Sequence, residues 1–466
     1  MREPRAARPA PDALARALAE LAAMFGDRLA SSLAVREQHA NTTTWVAGEP
    51  PDAVVFPRST EEVQQIVRIC ARHGVPLIPY GTGTSFEGHV NAPFGGVCVD
   101  LKDMNRILAV HAEDFDCVVQ PGVTRKQLNA HLRDQGLFFP VDPGADAALG
   151  GMASTRASGT TTVRYGTMKD NVLALQVVLA DGELMTTARR ARKSSAGYDL
   201  TRLIVGAEGT LGIITELTLK LHGIPEAMSA AVCRLPSVEA CCAVAIAAIQ
   251  AGLPVARIEL LDEMQVRVCN AHAKLRMPEQ PTLFLEFHGS EAGVAEQAKR
   301  FAAVAAEFAA DAFAWAQEAE ARSRLWQMRH DVFWALRSYR AGAKVVVTDV
   351  CVPISRLAEC VAATKRDIAA SGLVAPIVGH VGDGNFHASV LVMMEDADEV
   401  ARAKAFVERV AERALAMEGT CTGEHGIGEG KKHLLVAEHG EAAVGAMRAI
   451  KLVLDPNGIM NPGKIV

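Results

Sequence analysis

The chain has 466 residues, of which 49% are hydrophobic and 22% charged, and its formal net charge is -6 at pH 7. This length predicts about three domains of ordinary size, with enough apolar side chains to fill their cores. The acidic balance and the lack of basic runs disfavour nucleic-acid binding. No apolar run approaches the roughly 20 residues of a transmembrane helix, so we expect a cytoplasmic protein, with peripheral contact at the inner membrane face left open.

The N-terminal segment, residues 1–50, is predicted to be helical. Three arginines among the first eight residues faintly suggest a transit peptide, and there is no apolar core of the kind that a signal peptide has. Glu3, Asp12 and the alanine richness of the whole chain favour an ordinary N-terminal helix instead.

Residues 54–78 are predicted to form a strand, a helix and a second strand. Ser59 and Glu62 have the spacing of a capping box, and apolar residues then repeat at helical intervals until Gly74. A glycine-rich loop follows at residues 79–88. Such a loop can direct several backbone N–H groups at one anionic group, as in phosphate-binding nests.

This loop matches neither of two well-known phosphate motifs. A P-loop requires Gly-Lys-Ser or Gly-Lys-Thr, and the loop contains no lysine. A dinucleotide fingerprint requires glycine where Phe86 stands, and it follows the first strand of its unit rather than the second. The loop alone is therefore compatible with a phosphate site or with a tight turn.

Two further segments rich in small residues lie at 142–159 and 205–214, on either side of a predicted strand over 172–180. Small side chains leave the backbone open to close approach by a large flat ligand, although they equally suit a tight helix contact. The first half of the chain therefore consists of α+β units with three glycine-rich turns.

Ten cysteines are scattered along the chain, and none forms a CxxC pair. This spacing indicates neither a disulfide framework nor a zinc ribbon nor an iron-sulfur cluster. We expect most of these cysteines to be small buried residues of a protein in the reducing cytosol. Cys421 lies close to Glu424 in the sequence and is compatible with a contact to the site described next.

His380 and His387 lie in the segment GHVGDGNFH and are separated by an odd number of positions, so on one straight strand they would point to opposite faces. The turn formers at 382–385 allow the chain to bend and the imidazoles to converge. Together with Glu424, in the segment GEHGIG, they offer two nitrogens and one oxygen, a set that suits Zn, Mn or Fe. The alternative is a pair of hydrogen-bonded turn histidines.

Taken in order, these motifs resemble the FAD-dependent D-2-hydroxyacid dehydrogenases of the vanillyl-alcohol oxidase/p-cresol methylhydroxylase flavoprotein superfamily. That family includes D-lactate dehydrogenases of the cytochrome or quinone type and the glycolate oxidase FAD subunit. The resemblance runs from about residue 52 to 464 and is strongest toward the D-lactate branch. The segments that carry this last point are PGAD at 143–146, VRYGTM at 163–168 and TDVCVP at 348–353.

The resemblance implies a set of FAD-binding residues. Those implied to hold the pyrophosphate are Gly81, Thr82, Gly83, Thr84 and Ser85. Those implied to line the flavin and its ribityl chain are Pro143, Gly144, Gly151, Ser154, Ser158 and Tyr165. Those implied near the adenine half, or closing the site from the C-terminus, are Gly209, Ile214 and Asn461. Relatives with covalent flavin use His or Cys for the bond, whereas Tyr80 and Thr82 flank the first loop glycine here, so we predict non-covalent FAD.

The resemblance also implies a divalent metal, Zn or Mn, on His380, His387 and Glu424, with His425 beside the substrate hydroxyl. This fits the chemistry, because oxidation of a 2-hydroxy acid removes the O–H proton and passes a hydride from Cα to flavin N5. A bound ion would stabilise the developing alkoxide. His425 is a suitable base because imidazole titrates near working pH.

Arg329 matches the family position of an arginine that binds the substrate carboxylate, a role that suits a planar guanidinium. The alternative is an ordinary solvated position on a charge-rich helix. Val347 stands where the 2-hydroxyglutarate enzymes have an additional lysine, which favours a monocarboxylate with an aliphatic or aromatic tail. Phe333 and Trp334 are weak candidates for the tail pocket, with core packing as the alternative.

The expected fold is α+β. It comprises a two-subdomain FAD-binding domain of the p-cresol methylhydroxylase type over 51–222, a cap domain with an antiparallel sheet over 223–415, and a C-terminal segment over 416–466 that completes the active site and returns to the FAD domain. Cap strands are predicted at 282–287, 344–352 and 388–393, and cap helices at 237–252 and 292–308.

The expected activity is oxidation of D-lactate or a longer D-2-hydroxy monocarboxylate to the 2-oxo acid. Alternatives are a glycolate or D-2-hydroxyglutarate dehydrogenase, the FAD subunit of a larger electron-transfer complex and, more remotely, a metallohydrolase. The lack of a nicotinamide fingerprint disfavours NAD. The electron acceptor is expected to be a quinone, a cytochrome or an electron-transfer flavoprotein, and a homodimer is compatible with the sequence.

Overall fold

The computed structural model describes residues 7–41, 44–274, 276–311, 313–316 and 319–466. Part of the predicted N-terminal helical segment, at residues 1–6 and 42–43, therefore lies outside the described residues. The chain divides into two compact units. The first unit comprises Met1–Ala157, Thr167–Gly223 and Glu424–Val466, and the second comprises Ser158–Gly166 and Ile224–Gly423. The domain limits at 222 and 415 remain predictions.

The helices, in chain order, are α1 (Pro11–Phe25), α2 (Leu33–Gln38), α3 (Thr60–His73), α4 (Arg125–Leu132), α5 (Leu149–Ser154), α6 (Thr162–Tyr165), α7 (Met168–Asn171), α8 (Leu200–Ile204), α9 (Val238–Gln250), α10 (Glu263–Ala273), α11 (Glu291–Ala306), α12 (Ala319–His330), α13 (Val332–Tyr339), α14 (Leu357–Ser371), α15 (Ala397–Ala416) and α16 (Leu435–Leu454).

The strands are β1 (Leu29–Ala30), β2 (Ala53–Val55), β3 (Leu77–Tyr80), β4 (Val97–Asp100), β5 (Ile107–His111), β6 (Asp116–Val119), β7 (Leu137–Phe138), β8 (Val172–Val178), β9 (Leu184–Thr186), β10 (Ile213–Lys220), β11 (His222–Gly223), β12 (Ala227–Arg234), β13 (Val255–Leu261), β14 (Thr282–Gly289), β15 (Ala314–Ala316), β16 (Lys344–Val347), β17 (Val350–Cys351), β18 (Ile377–Gly379) and β19 (Asn385–Val392).

The first unit contains two main sheets. One has the order β1-β2-β4-β3, in which β2 and β3 run parallel to β4 and β1 is antiparallel to β2. The other is antiparallel, with the order β5-β6-β10-β8-β9. One cluster of buried side chains packs on the antiparallel sheet, and a second packs on the first sheet and also includes Val178 of β8 and Ile213 of β10. These two layers are the two subdomains that the sequence predicts.

Helix α3 shows how local sequence builds the first sheet. The Ser59 hydroxyl accepts a hydrogen bond from the Glu62 N–H at 3.3 Å, and Gly74 ends the helix in the left-handed region at φ 64°. Both predicted ends are confirmed. The Glu62 carboxylate does not bond back to the cap, because it accepts from the Arg28 guanidinium at 2.6 and 2.8 Å and from the Arg58 N–H.

The second unit is built on an antiparallel sheet with the order β15-β12-β14-β13-β18-β19-β16, and β17 also pairs with β19. The predicted strand over 344–352 is interrupted at Thr348 and Asp349, so it forms β16 and β17 rather than one strand. The predicted strand over 388–393 begins earlier, at Asn385. The α+β class with an antiparallel cap sheet is confirmed.

All ten cysteines are free thiols, and nine of them are buried. Burial raises the pKa of the thiol to about 12 at Cys70 and at Cys117, so these are inert packing residues. Among the described helices, none combines the length and apolar character needed to cross a membrane.

Candidate active site

The loop after β3 is shaped by its glycines. Gly83 has φ 65°, and a Cβ there would lie 2.2 Å from the Tyr80 hydroxyl oxygen. A Cβ on Gly81 would lie 3.3 Å from the Ala148 Cβ. Thr82 is exposed and Thr84 and Ser85 are partly exposed, so the loop backbone remains accessible to a ligand. This is a cradle that larger residues would fill, and it fits a phosphate group.

Two consecutive glycines of α5 serve different purposes. A Cβ on Gly150 would come within 2.5 Å of the Pro121 Cβ, so this glycine permits close packing. A Cβ on Gly151 would meet nothing within 4 Å among the described residues. The Ser154 hydroxyl donates to the Gly150 carbonyl at 2.9 Å and so lies on the same helix. The open space at Gly151 fits the approach of a flat ligand. Before the helix, Pro143 is partly exposed and Gly144 is exposed.

Glu208 is a buried carboxylate that ties three segments of the first unit together. It accepts hydrogen bonds from the N–H groups of Ile427 and Gly428 at 2.6 and 2.8 Å. His89 Nε2 lies 3.4 Å from Oε2, the oxygen that also accepts from Gly428. Burial alone would raise the pKa of Glu208, but His89 and the two backbone donors outweigh this effect and lower it. The carboxylate is therefore ionised at neutral pH and anchors the GEHGIG segment.

The residues next to Glu208 belong to the predicted cofactor set. Gly209 has φ 73°, and a Cβ there would lie 2.9 Å from the Pro79 Cγ. The Asn461 side-chain amide donates to the carbonyls of His89 and Glu208 at 3.1 and 2.7 Å. The C-terminal segment is thus attached to the glycine-rich turn at 205–214. Ile214 lies in β10, and its side chain belongs to the buried cluster of the antiparallel sheet.

His425 also belongs to the first unit, where its ring centroid lies 4.6 Å from that of Phe86 in a tilted arrangement. The next residue, Gly426, has φ 83°, and a Cβ there would lie 2.6 Å from a Glu208 carboxylate oxygen. The position of His425 is therefore set by the Glu208 anchor on one side and by the loop after β3 on the other. Glu424 opens this last segment of the first unit.

Tyr165, although predicted beside the flavin, lies with Ser158 in the second unit and begins a buried hydrogen-bonded chain there. Its hydroxyl lies 2.7 Å from His288 Nδ1, and His288 Nε2 lies 2.7 Å from a Glu286 carboxylate oxygen. Because an ionised carboxylate only accepts, Nε2 carries the imidazole hydrogen and the tyrosine hydroxyl donates to Nδ1. Burial raises the pKa of Tyr165, which keeps that hydrogen in place.

The Glu286 carboxylate at the end of this chain is held ionised. Burial would raise its pKa, but the nearby Arg257 guanidinium and the hydrogen bond from His288 lower it. The sequence pattern does not single out His288 and Glu286. Its one indication of a polar pair is that these two residues alternate on β14, whose other residues up to Phe287 are mostly apolar.

The predicted bend between His380 and His387 is present. His380 follows β18, and His387 lies in β19 opposite Val378. The two imidazole rings meet edge to face with centroids 5.6 Å apart. Gly384 has φ 82°, and a Cβ there would lie 2.2 Å from the Val352 carbonyl oxygen, so the turn requires glycine at this position.

Both histidines of this hairpin have a fixed tautomer. His380 Nδ1 lies 2.7 Å from a Glu259 carboxylate oxygen, and His387 Nδ1 lies 3.0 Å from the Thr348 carbonyl oxygen. Neither acceptor can donate a proton, so each Nδ1 carries the hydrogen and each Nε2 carries the lone pair. This is the arrangement of metal-binding histidines, whose other nitrogen is usually bonded to a carboxylate or carbonyl. The pair therefore fits a divalent ion.

Arg329 lies on the buried side of α12 and is 9% exposed. Its Nε and Nη2 atoms lie 2.9 and 2.7 Å from the same Glu259 carboxylate oxygen. The solvated side of the helix carries the Arg324–Glu320 pair instead. The interpretation of Arg329 as a solvated surface residue is therefore wrong. Glu259 binds the Nε–Nη2 edge of the guanidinium, and the Nη1–Nη2 edge is the other edge, which Glu259 does not bridge.

A second buried carboxylate, Asp349, supports the hairpin from the break between β16 and β17. It accepts hydrogen bonds from the Asn385 amide and from the Thr422 hydroxyl, both at 2.8 Å. A Cβ on Gly423 would lie 2.3 Å from the Asn385 amide nitrogen. The chain therefore reaches this hairpin one residue before Glu424. Cys421, which is close to Glu424 in the sequence, is buried.

The candidate tail-pocket residues are placed differently from each other. Phe333 and Val347 pack against a buried cluster of the second unit that includes Phe284 and Trp326. Trp334 is 57% exposed, and its ring meets that of Phe333 edge to face. For Phe333 the structure shows core packing, and for Trp334 a surface position.

Solved structures with the same architecture include an oxidase and a methylhydroxylase. A 4-ethylphenol oxidase from Gulosibacter chungangensis superposes with a TM-score of 0.81 at 19% identity, covering 98% of each chain. A p-cresol methylhydroxylase superposes equally well, at 19% identity over 98% of this chain and 97% of the other. The fold is therefore that of p-cresol methylhydroxylase and of this 4-ethylphenol oxidase.

Residues 51–188 match the model of an FAD binding domain, and residues 224–465 match that of the FAD linked oxidases, C-terminal domain. The chain belongs to the family of FAD-linked oxidases. This membership confirms FAD as its cofactor.

Relatives within the family match almost the whole chain. A probable mitochondrial D-lactate dehydrogenase of Danio rerio is 52% identical, with 97% of this chain and 92% of the relative covered. A mitochondrial D-lactate dehydrogenase [cytochrome] of Arabidopsis thaliana is 48% identical, with 89% and 73% covered. The glycolate oxidase subunit GlcD of Bacillus subtilis is 34% identical, with 89% of each covered.

Proposed function

We propose that the protein is an FAD-dependent dehydrogenase that oxidises D-lactate, or a longer D-2-hydroxy monocarboxylate, to the 2-oxo acid. The observation that carries this proposal is the convergence on Glu259 of His380 and Arg329, one a metal-type ligand and the other a carboxylate-binding group. A 2-hydroxy acid presents both a hydroxyl and a carboxylate to such a pair. Relatives named D-lactate dehydrogenase at 48% and 52% identity support the same assignment.

We further propose that FAD is bound without a covalent link, by the residues that the sequence predicts. The loop Gly81–Ser85 would take the pyrophosphate, Gly209 and Ile214 would lie near the adenine half, and Asn461 would close the site from the C-terminus. The flavin and its ribityl chain would lie against the open backbone at Gly151. The other residues of the predicted set that would line them are Pro143, Gly144, Ser154, Ser158 and Tyr165. Tyr80 and Thr82 cannot form the histidyl or cysteinyl bond of covalent flavins, which supports a dissociable cofactor.

The proposed metal ligands are His380, His387 and Glu424, a set of two imidazoles and one carboxylate that suits Zn²⁺ or Mn²⁺. When bound, the flavin supplies a hydride acceptor and the ion supplies stabilisation of a developing alkoxide. His425 would take the proton from the substrate hydroxyl. Arg329 would bind the carboxylate through its Nη1–Nη2 edge and so orient the Cα hydrogen.

The preference for a monocarboxylate rests on Val347, a half-buried aliphatic residue that provides no second cation. Glycolate is the second candidate substrate, because a glycolate oxidase subunit is 34% identical. D-2-Hydroxyglutarate is a third and would require a cation elsewhere. We propose a quinone, a cytochrome or an electron-transfer flavoprotein as electron acceptor. A cytoplasmic location with peripheral membrane contact, and a homodimer, complete the proposal.

An anaerobic titration of the purified protein tests this function. The oxidised flavin absorbs visible light, and this absorbance should bleach with D-lactate and respond less to L-lactate, glycolate and D-2-hydroxyglutarate. Dialysis against a chelator should abolish the bleaching while flavin remains bound, and Zn²⁺ or Mn²⁺ should restore it. If no 2-hydroxy acid bleached the flavin, the dehydrogenase assignment would be wrong. A colourless protein that hydrolyses esters or amides would indicate the metallohydrolase instead.

A further inference from the structure

We infer that Glu259 is a positioning residue that holds Arg329 and His380 in one fixed arrangement, so that substrate carboxylate binding and metal binding depend on the same side chain. The inference rests on the proposed function of these two residues. Glu259 itself binds neither the substrate nor the ion.

The two oxygens of the Glu259 carboxylate have separate partners. One lies 2.7 Å from His380 Nδ1, and the other lies 2.9 Å from Arg329 Nε and 2.7 Å from Nη2. The residue is 1% exposed. A carboxylate so deeply buried is costly unless it is paired and hydrogen-bonded, and these contacts satisfy both oxygens.

Backbone pairing places Glu259 where it can reach both partners. It lies in β13, and the adjacent Leu260 pairs with Gly379 of β18, the residue just before His380. On its other edge, β13 pairs with β14 through Glu259 and Phe284. The side chain thus links a central strand of the sheet to the hairpin and to α12 at once.

Each contact has a specific effect on the partner. A carboxylate bonded to Nδ1 fixes the imidazole tautomer, orients the ring and raises the basicity of Nε2 as a ligand. Holding the Nε and Nη2 atoms of Arg329 leaves the Nη1–Nη2 edge in a defined direction for a second carboxylate. Because a hydroxy acid would bind Arg329 directly and His380 through the ion, an error of about 1 Å in their spacing would cost about 100-fold in rate.

Glu259→Gln separates this role from a merely structural one. An amide of the same size has one accepting oxygen and one donating nitrogen, so it cannot accept from both His380 Nδ1 and Arg329. We expect the metal to be lost at chelator concentrations about 10- to 100-fold lower than for wild type. At saturating Zn²⁺ or Mn²⁺, we expect the KM for the hydroxy acid to rise about 10-fold as well, the size of effect that a lost charge-assisted contact gives.

The matched control is Glu399→Gln, which weakens another Arg–Glu pair of the second unit, in which Glu399 is buried and Arg340 is partly exposed. It should lower the melting temperature while leaving the metal retention and the KM unchanged. Metal content is measured by mass spectrometry after equilibration with graded nitrilotriacetate, and KM by flavin reduction. Should Glu259→Gln fail to fold, Glu259→Asp keeps the charge but is too short to reach both partners, and the same two readouts apply.

A fall in metal affinity with an unchanged KM, or the reverse, would overturn the shared role, and so would two unchanged readouts. These outcomes differ from a failure of the proposed function. In that case the wild-type protein itself would hold no divalent ion, or its flavin would not respond to hydroxy acids.

Discussion

For three histidines of the second unit, one hydrogen-bond acceptor determines which ring nitrogen carries the lone pair. His380, His387 and His288 each contact an oxygen that cannot donate: the Glu259 carboxylate, the Thr348 carbonyl and the Glu286 carboxylate. The contact is through Nδ1 in the first two and through Nε2 in the third. The lone pair is therefore on Nε2 in the hairpin, where it suits a metal, and on Nδ1 of His288, where it accepts from Tyr165.

Replacing His425 tests its role as a base. His425→Ala should keep FAD, because Glu208 anchors the segment through backbone N–H groups rather than through this side chain. Flavin reduction by the hydroxy acid should slow by about 10²- to 10⁴-fold, the usual contribution of a general base. Stopped-flow absorbance measures the rate. His439→Ala, on the exposed surface of α16, is the control and should reduce flavin normally; a normal rate in His425→Ala would refute the role.

Replacing Arg329 needs care because its guanidinium also neutralises Glu259. Arg329→Lys keeps the charge but loses the planar fork, so kcat should fall and KM should rise together, by about 10-fold or more in kcat/KM. Arg329→Met should in addition lower the melting temperature, since it leaves the Glu259 carboxylate buried beside only one partner. Steady-state kinetics and thermal unfolding of both variants separate the two effects. A lysine variant with wild-type kcat/KM would exclude the carboxylate-binding role.

At the scale of elements, the turn between β18 and β19 should tolerate no side chain at Gly384. A Cβ there meets the Val352 carbonyl oxygen at 2.2 Å in addition to the strain of φ 82°. Gly384→Ala should therefore cost clearly more than the roughly 1–2 kcal/mol of left-handed strain, and it should lose bound metal.

Gly372→Ala is the matched control for this turn. Gly372 has φ 65° at the end of α14, with nothing within 4 Å of an added Cβ among the described residues. It should show the strain alone and retain its metal. Denaturant unfolding and metal analysis of both variants provide the measurement, and equal losses in the two would contradict the assigned clash.

Asp262, the N-cap of α10, should limit stability at neutral pH. Burial raises the pKa of its carboxyl from 3.8 to about 6. The folded state thus binds this proton more tightly than the unfolded state, so the carboxyl contributes most below pH 4, and that contribution is lost as the pH rises through about 6. Asp262→Asn keeps an oxygen for the Gln265 N–H and removes the buried charge.

The expected gain in the free energy of unfolding at pH 7.5 is about 1–3 kcal/mol, shrinking toward zero near pH 4. The control is the N-cap of α8, Asp199, where the hydrogen bond from the Arg202 N–H lowers the carboxyl pKa. Asp199→Asn should instead lose stability at pH 7.5. Melting temperatures across this pH range test both signs, and a destabilised Asp262→Asn at pH 7.5 would contradict the argument.

At the scale of the whole molecule, sequence predicted what local chemistry determines. Helix α3 and the bend between the two histidines follow from caps, glycines and asparagine that are close in the chain. Glu259 could not be identified in this way, because its partner His380 is 121 residues away. The same holds for His288, which lies 123 residues from Tyr165. A single sequence marks such a carboxylate only as a charge in an apolar strand, without naming what it contacts.

The C-terminal tail should be essential for cofactor retention. Met460 pairs with Leu77 of β3, Asn461 bonds to His89 and Glu208, and the Lys464 ammonium donates to the Asn91 carbonyl. Deleting residues 456–466 should lower both FAD occupancy and the melting temperature, because the loop after β3 loses its support. The flavin-to-protein absorbance ratio measures occupancy. A polar extension after Val466 should leave it unchanged, and full occupancy in the deletion would contradict the prediction.

The pairing of Leu77 with Met460 also has a consequence for biosynthesis. At 5–20 residues per second, the ribosome needs roughly 20 to 80 s to travel from one to the other. During that interval, the outer edge of β3 lacks its final partner, and an open strand edge is a site for mispairing between nascent chains. Because Met460 is made so long after Leu77, this edge of β3 stays open through most of the synthesis of the described chain. Capture of FAD by the loop after β3 is therefore expected only once Met460 has been made, and a shortage of FAD would affect chains that have passed this point.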